Sequence, residues 1–253
     1  MTMDISTTVY AQTPIRSLTD GRLDFPRYAP LKRSYVVASS YRCGSTLLCS
    51  KLWLTGVLGA PWEYLNDNFE LGDLMRRFEA SSTTEYVDRL LACRTSSNGV
   101  FGLKAHFRHF ETGLKHFPGL LERFGTPTFI YINRRDKLAQ AVSMAKAFQT
   151  KSWTSLIDPH RDALRYDRSH IARCIEEIEA QRLGWLRWFE NNNVTPFVVN
   201  YEELVVDSDE VIRTIMELLD VLDDPPDDVR LPKVEKQGDE VNEEWISNFR
   251  NGR

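Results

Sequence analysis

Arg42, Gly44, Ser45 and Thr46 have the types and spacing to bind an anion. They follow the apolar run Tyr35–Ser39 and precede Leu47–Gly56, so the segment reads as buried strand, tight loop and helix. A helix start offers unpaired backbone N–H groups and the positive end of the macrodipole. Gly44 lets the backbone approach a ligand closely. Ser45 and Thr46 add hydroxyl donors, and Arg42 adds a permanent charge with forked donors. The expected ligand is a phosphate-type or sulfate-type anion. The loop is not a Walker A sequence, because Ser39 stands at its first glycine position and Ser45 at its lysine position. An ATP-dependent kinase is disfavoured accordingly. Cys43 also lies in the loop. Positive potential can lower a thiol pKa, but a small residue filling the turn is the simpler reading.

A second basic turn follows the run Thr128–Ile132. Arg134 or Arg135 can make a bidentate contact to an anion, and Ser143 lies about two turns into the next helix. Strands alternate with helices along the chain, which predicts a mainly parallel sheet covered on both faces. The strands are expected at Tyr35–Ser39, Val100–Ala105, Thr128–Ile132 and Pro196–Val199. Ligands bind at the carboxyl ends of such strands. That rule gathers Arg42–Thr46, His106, Arg134, Arg135 and Tyr201 at one edge.

Helices are expected after the capping pattern Ser82–Glu85, over Asp136–Thr150, from about Asp158 to Asn191, from Asp207 to Leu222, and around Glu243–Arg250. The apolar stripe Ile171, Cys174, Ile175, Ile178, Trp185, Trp188 and Phe189 is read as core packing. Residues 1–30 read as an irregular arm and residues 31–253 as a single domain.

The 253 residues carry a net charge of −4, with 42% hydrophobic and 27% charged residues. This balance is ordinary for a globular protein and argues against a role in coating nucleic acid. The four cysteines form neither a zinc framework nor a disulfide pattern, which points to a reduced, cytoplasmic setting. No apolar run is long enough to span a bilayer, and the first 20 residues lack the apolar core of a signal peptide. Nothing in the His, Cys and carboxylate spacing argues for a metal.

The loop around Arg42 resembles the 5′-phosphosulfate loop of sulfotransferases that use 3′-phosphoadenosine-5′-phosphosulfate (PAPS). Arg134–Ser143 with Phe148–Thr150 and Trp153 is similar to the bacterial carbohydrate branch typified by trehalose 2-sulfotransferase. So are Thr55–Val57 with Pro61–Tyr64, Asn98–Lys104, Gly184–Trp185 with Trp188–Phe189, and Gln237 with Glu243–Trp245 and Phe249–Arg250. Together these segments cover roughly residues 34–250.

The resemblance implies a P-loop-type sulfotransferase fold. It also implies sulfuryl transfer from PAPS, without a metal, to a hydroxyl of a carbohydrate or glycolipid. Arg42, Cys43, Gly44, Ser45 and Thr46 would hold the 5′ end of the donor, and Arg134 with Ser143 its 3′-phosphate. Glu63 matches the general base of the trehalose branch. Lys104–His106 is similar to the Lys-x-His of the wider superfamily, where the histidine is the base, so His106 is the second candidate behind Glu63. Lys104 would contact the sulfuryl group or the acceptor. A homodimer is compatible with the resemblance. The chain departs from its nearest pattern at Cys43 and His106 and in a short Leu65–Thr95 stretch, which leaves the acceptor's identity open. The competing classes are a small-molecule kinase on a P-loop fold and a catalytically inactive sulfotransferase-like binding protein.

Overall fold

The computed structural model describes residues 15, 17–26, 28–66, 71–151, 153, 164–221 and 240–252. Its centre is a sheet of β1 (Arg33–Ser39), β2 (Val100–His106), β3 (Thr128–Asn133) and β4 (Phe197–Asn200), in the order β2-β1-β3-β4. All three pairings are parallel. The strand register sets Ser39 beside His106, Ala38 beside Tyr131, and Asn133 beside Asn200. The carboxyl ends of the strands therefore lie together, as expected for a parallel sheet.

Each inner strand alternates between two buried faces, because side chains on a strand point to opposite sides in turn. Val36, Ala38, Leu103, Ala105, Phe129 and Tyr131 face one core. Trp185 and Phe189 of α7 (Arg168–Asn191) and Phe110 of α4 (Phe107–His116) pack into it. Tyr35, Val37, Ile130, Ile132 and Val199 face the other. That side is closed by Leu48 and Leu52 of α1 (Ser45–Leu54) and by Ile212 and Ile215 of α9 (Ser208–Leu218). Burial on both faces accounts for the near-continuous apolar runs in the sequence.

The remaining helices are α2 (Leu71–Arg77), α3 (Thr83–Arg94), α5 (Leu120–Arg123), α6 (Lys137–Thr150), α8 (Tyr201–Val206) and α10 (Glu240–Arg250). Ser82 caps α3 by accepting from the Glu85 amide at 3.2 Å. The Glu85 carboxylate reaches back to the Ser81 amide at 2.7 Å, one residue earlier than a standard capping box. Asp136, Asp167 and Asp207 cap α6, α7 and α9. The Asp167 cap starts α7 at Arg168, later than the expected Asp158. Residues 158–163 and Leu222 lie outside the described residues, and α9 ends at Leu218. The tail helix begins at Glu240 rather than Glu243. Before β1, Leu23 is fully buried in the first core. The segment around it is tied down by the Arg94 guanidinium, which donates to the Leu18 carbonyl at 2.7 Å. Among the described residues no helix is long and apolar enough to cross a membrane.

Gly184 lies on the face of α7 that meets α4. A Cβ there would sit 2.3 Å from the Phe107 ring. Alanine favours a helix over glycine by about 1 kcal/mol, while overpacking a core costs about 1–3 kcal/mol. Overpacking wins at this contact, so Gly184→Ala should lower the free energy of denaturant unfolding. A more stable variant would show that the interface yields.

Candidate active site

The loop from Ser39 to Gly44 turns through two left-handed residues, Arg42 at φ 60° and Gly44 at φ 93°. Gly44 caps α1 without a side-chain hydrogen bond. The first-turn amides of α1 therefore keep their capacity to donate to a ligand. Gly44 is required for a reason the sequence did not reveal. A Cβ there would stand 2.4 Å from the Tyr201 ring, so Tyr201 at the end of β4 lies directly over the loop. Gln140 of α6 fixes the loop from the other side, donating to Ser40 Oγ at 2.9 Å and to the Tyr41 carbonyl at 2.6 Å.

The two basic segments meet here. Arg42 Nε donates to Ser143 Oγ at 2.9 Å, and its Nη1 donates to the Trp153 carbonyl. Burial, and next the charge of Arg134, push the Arg42 guanidinium below its usual pKa. Arg134 stacks over the Tyr201 ring at 4.7 Å, and its Nη1 lies 3.5 Å from the Arg42 carbonyl. Its Nε is buried with no hydrogen-bond partner among the described residues. Arg135 points elsewhere: its guanidinium pairs with Glu203, and its amide donates to Glu202. The structure thus separates the adjacent arginines, with Arg134 at the loop and Arg135 on the exposed rim. Burial raises the Cys43 thiol, consistent with a small residue filling the turn rather than an activated thiolate.

Glu63 reaches the same edge by an indirect route. Trp62 forms an isolated parallel bridge to Leu103, and its carbonyl accepts from the Lys104 amide at 3.0 Å. That contact lays the Pro61–Tyr64 turn along β2 and sets Glu63 beside the strand's end. Lys104 Nζ lies 2.7 Å from Glu63 Oε1 and donates to Thr46 Oγ1 at 2.8 Å. One ammonium therefore bridges the carboxylate and the anion loop. His106 Nε2 lies 3.4 Å from Glu63 Oε1, and its Nδ1 is 2.9 Å from Ser39 Oγ. Asn66 Nδ2 donates to Glu63 Oε2 at 2.9 Å. Burial alone would raise the Glu63 carboxyl, but Lys104 and then His106 more than reverse this and hold it well below the usual range. Lys104 is shifted the opposite way: burial lowers it, and Glu63 more than restores it.

Arg42, Cys43, Gly44, Ser45, Thr46, Arg134 and Ser143 thus surround one loop, with Glu63, Lys104 and His106 joined to it through Thr46. The sequence reading missed Tyr41, Asn66, His109 and Gln140. The Tyr41 hydroxyl lies 3.2 Å from His109 Nε2, and His109 Nδ1 lies 3.8 Å from Glu63 Oε2. A lone histidine inside a helix carries no sequence signal. Only the start of α4 at the end of β2 brings it to this edge. Among the described residues no group of three or more His, Cys, Asp or Glu side chains is arranged to hold a metal.

The chain matches the Stf0 sulphotransferase family over residues 34–252, and it belongs to that family. It is 31% identical to trehalose 2-sulfotransferase of Mycolicibacterium smegmatis over 257 residues, covering 86% of this chain and 94% of the relative. It is 26% identical to trehalose 2-sulfotransferase of Mycobacterium tuberculosis over 255 residues, with the same coverage. Among solved structures it is similar to the sulfotransferase domain from the curacin biosynthetic pathway. That match has a TM-score of 0.43 and 16% identity, covering 84% of this chain and 82% of that one. The sulfotransferase domain from the Synechococcus PCC 7002 olefin synthase matches with a TM-score of 0.44 and 14% identity, covering 89% of each chain. The chain's architecture is a parallel sheet flanked by helices, and as a member of this family it is a sulfotransferase, hence an enzyme.

The depressed Glu63 pKa has a stability consequence. Its charged form is favoured by folding, so that contribution is complete above about pH 4.5 and is lost as the pH falls toward the lower folded value. Wild type should therefore be more stable than Glu63→Gln at pH 7, and the difference should shrink on acidification to pH 4. Denaturant unfolding at the two pH values measures it. A difference that grew in acid would mean the carboxylate is not held by Lys104 and His106.

Proposed function

We propose that this enzyme transfers a sulfuryl group from PAPS to a hydroxyl of a carbohydrate or glycolipid, giving a sulfate ester and 3′,5′-adenosine bisphosphate. The observation that carries the donor assignment is the buried Arg134 Nε, which has no hydrogen-bond partner among the described residues. A buried donor without an acceptor is costly, and it lies beside a loop built to bind anions. A 3′-phosphate between Arg134 and Ser143 would satisfy it. The relatives bear the name trehalose 2-sulfotransferase, which makes trehalose the first acceptor to assay.

In the reaction the acceptor oxygen attacks sulfur in line, and the bridging oxygen leaves on the nucleotide with growing negative charge. Arg42, the amides at Ser45 and Thr46, and the α1 dipole stabilise that charge. Lys104 lies between the loop and Glu63, so it serves the sulfuryl group while holding the base ionised. Glu63 removes the acceptor's proton. Its side chain keeps 23% exposure, against 7% for that of His106. Both ring nitrogens of His106 already face internal partners, Ser39 and Glu63. These contacts support Glu63 as the base and His106 as the group that orients and charges it.

3′,5′-Adenosine bisphosphate should raise the melting temperature by mass action and bind more tightly than AMP. Arg134→Ala should erase that preference. Arg42→Ala should impair the rate more than the affinity, because charge on the leaving oxygen develops in the transition state. Calorimetric titration alongside ATP·Mg²⁺ tests the donor. Equal binding of AMP and bisphosphate would remove the 3′-phosphate assignment, and tighter ATP·Mg²⁺ would favour a kinase.

Glu63→Gln should lower turnover by about 10²–10⁴-fold with bisphosphate affinity near wild type, and His106→Asn should cost much less. Kinetics with PAPS and trehalose check this. A near-normal Glu63→Gln beside a dead His106→Asn would make His106 the base.

A further inference from the structure

Glu63 is surrounded by more proton-active groups than a single-base reaction needs. Oε1 is taken up by Lys104 and His106, whereas Oε2 has the Asn66 amide at 2.9 Å and His109 Nδ1 at 3.8 Å. His109 is 5% exposed and sits in the first turns of α4. The Tyr41 hydroxyl touches its far nitrogen, Nε2, at 3.2 Å. The Tyr41 ring packs against His106 at 4.5 Å and His109 at 5.9 Å, so the three rings form one block. The titratable groups beside His109 are Glu63 from the turn after α1, Tyr41 from the anion loop and His106 from β2, with Lys104 on the other oxygen of Glu63. Arg108 of α4 and Glu177 of α7 act on Tyr41, and Gln181 hydrogen-bonds its hydroxyl.

We propose that His109 takes over the acceptor's proton from Glu63, with Tyr41 accepting from Nε2–H and so turning the Nδ1 lone pair toward the carboxylate. The inference rests on the sulfuryl-transfer reading above. The proton balance is simple. As the acceptor oxygen bonds to sulfur, its O–H bond breaks and the proton goes to Glu63 Oε2. The Oε2–H bond then breaks as Nδ1–H forms, which leaves an imidazolium and restores the carboxylate. The imidazolium gives its Nε2 proton to water through the half-buried Tyr41 hydroxyl, beside Gln181 and the half-exposed Glu177, which leaves the Nδ1–H tautomer. Once the product has left, Nδ1 loses its proton to water by way of the part-exposed Glu63 and Nε2 regains one through Tyr41, which restores the resting Nε2–H form.

The physical need follows from the company Glu63 keeps. A carboxylate held ionised by an ammonium at 2.7 Å is a poor store for a proton. A neutral imidazole, with an ordinary pKa of about 6.5, is a much better one at neutral pH. The 3.8 Å gap from Nδ1 to Oε2 is longer than a hydrogen bond, and catalytic contacts of this kind tighten when substrates bind. His109 acts through Glu63, so it is a positioning and relay residue rather than a group that touches the acceptor.

The test is histidine ¹⁵N NMR on the full chain saturated with 3′,5′-adenosine bisphosphate, which needs no turnover. Neutral His109 should carry its proton on Nε2, and Glu63→Gln should lower its titration midpoint by about one pH unit or more, because the imidazolium loses an opposite charge. In turnover of PAPS on trehalose, His109→Gln should lower kcat by about ten- to a hundredfold. It should also remove the acidic limb near neutrality, with bisphosphate affinity unchanged. An Nδ1–H tautomer, an unmoved midpoint, or a His109→Gln profile with the wild-type limb would each overturn the relay. Loss of bisphosphate binding in wild type, by contrast, would count against the sulfuryl-transfer reading itself.

Discussion

The position of one buried ammonium sets the chemistry of this edge. Lys104 is 3% exposed at the carboxyl end of β2, with Glu63 on one side and Thr46 on the other. A buried charge without a partner is strongly destabilising, so the fold must deliver both contacts. Parallel pairing of β1 and β2 brings Lys104 level with Val37, close to where the chain leaves the sheet for the anion loop. The Trp62–Leu103 bridge brings Glu63 to the same place. Glu63 and the start of α1 are thus linked through a single side chain.

A second constraint is repulsion between guanidinium groups. Arg42 and Arg134 approach closely enough for one charge to disfavour the other. The arrangement is held by packing and hydrogen bonds: Tyr201 over Gly44 and under Arg134, Ser143 on Arg42, and Gln140 on the loop backbone. Such a site stores unfavourable electrostatic energy that an anion relieves. Ser143 also joins the two anion segments, since it accepts from Arg42 while belonging to the helix that follows Arg134.

Much of the sheet was readable from local pattern. The apolar runs at Tyr35–Ser39 and Thr128–Ile132 are β1 and β3, because strands buried on both faces need no polar alternation. The strand–loop–helix turn was readable because Arg42, Gly44, Ser45 and Thr46 are contiguous between two apolar runs. The position of Glu63 was not readable from local pattern: it depends on a bridge to β2 that no neighbouring residue encodes. Helix α4 was missed because His106 is both the last residue of β2 and the N-cap of α4, with no side-chain capping bond and no turn residue to announce it. His109 and Tyr41 were missed with it. Gln140 looked like an ordinary helix residue, and its grip on the loop exists only once α6 packs against that edge.

The central claim is that the donor's reacting end, Lys104 and Glu63 share one small volume. A crystal structure with 3′,5′-adenosine bisphosphate bound tests it most directly. The 5′-phosphate should lie on the amides at Ser45 and Thr46 and touch Lys104 Nζ. The Glu63 carboxylate should lie within about 7 Å of the phosphorus, the span that an attacking oxygen and its base require. A nucleotide bound with its 5′-phosphate away from the loop, or a Glu63 turned out of reach of it, would contradict the account.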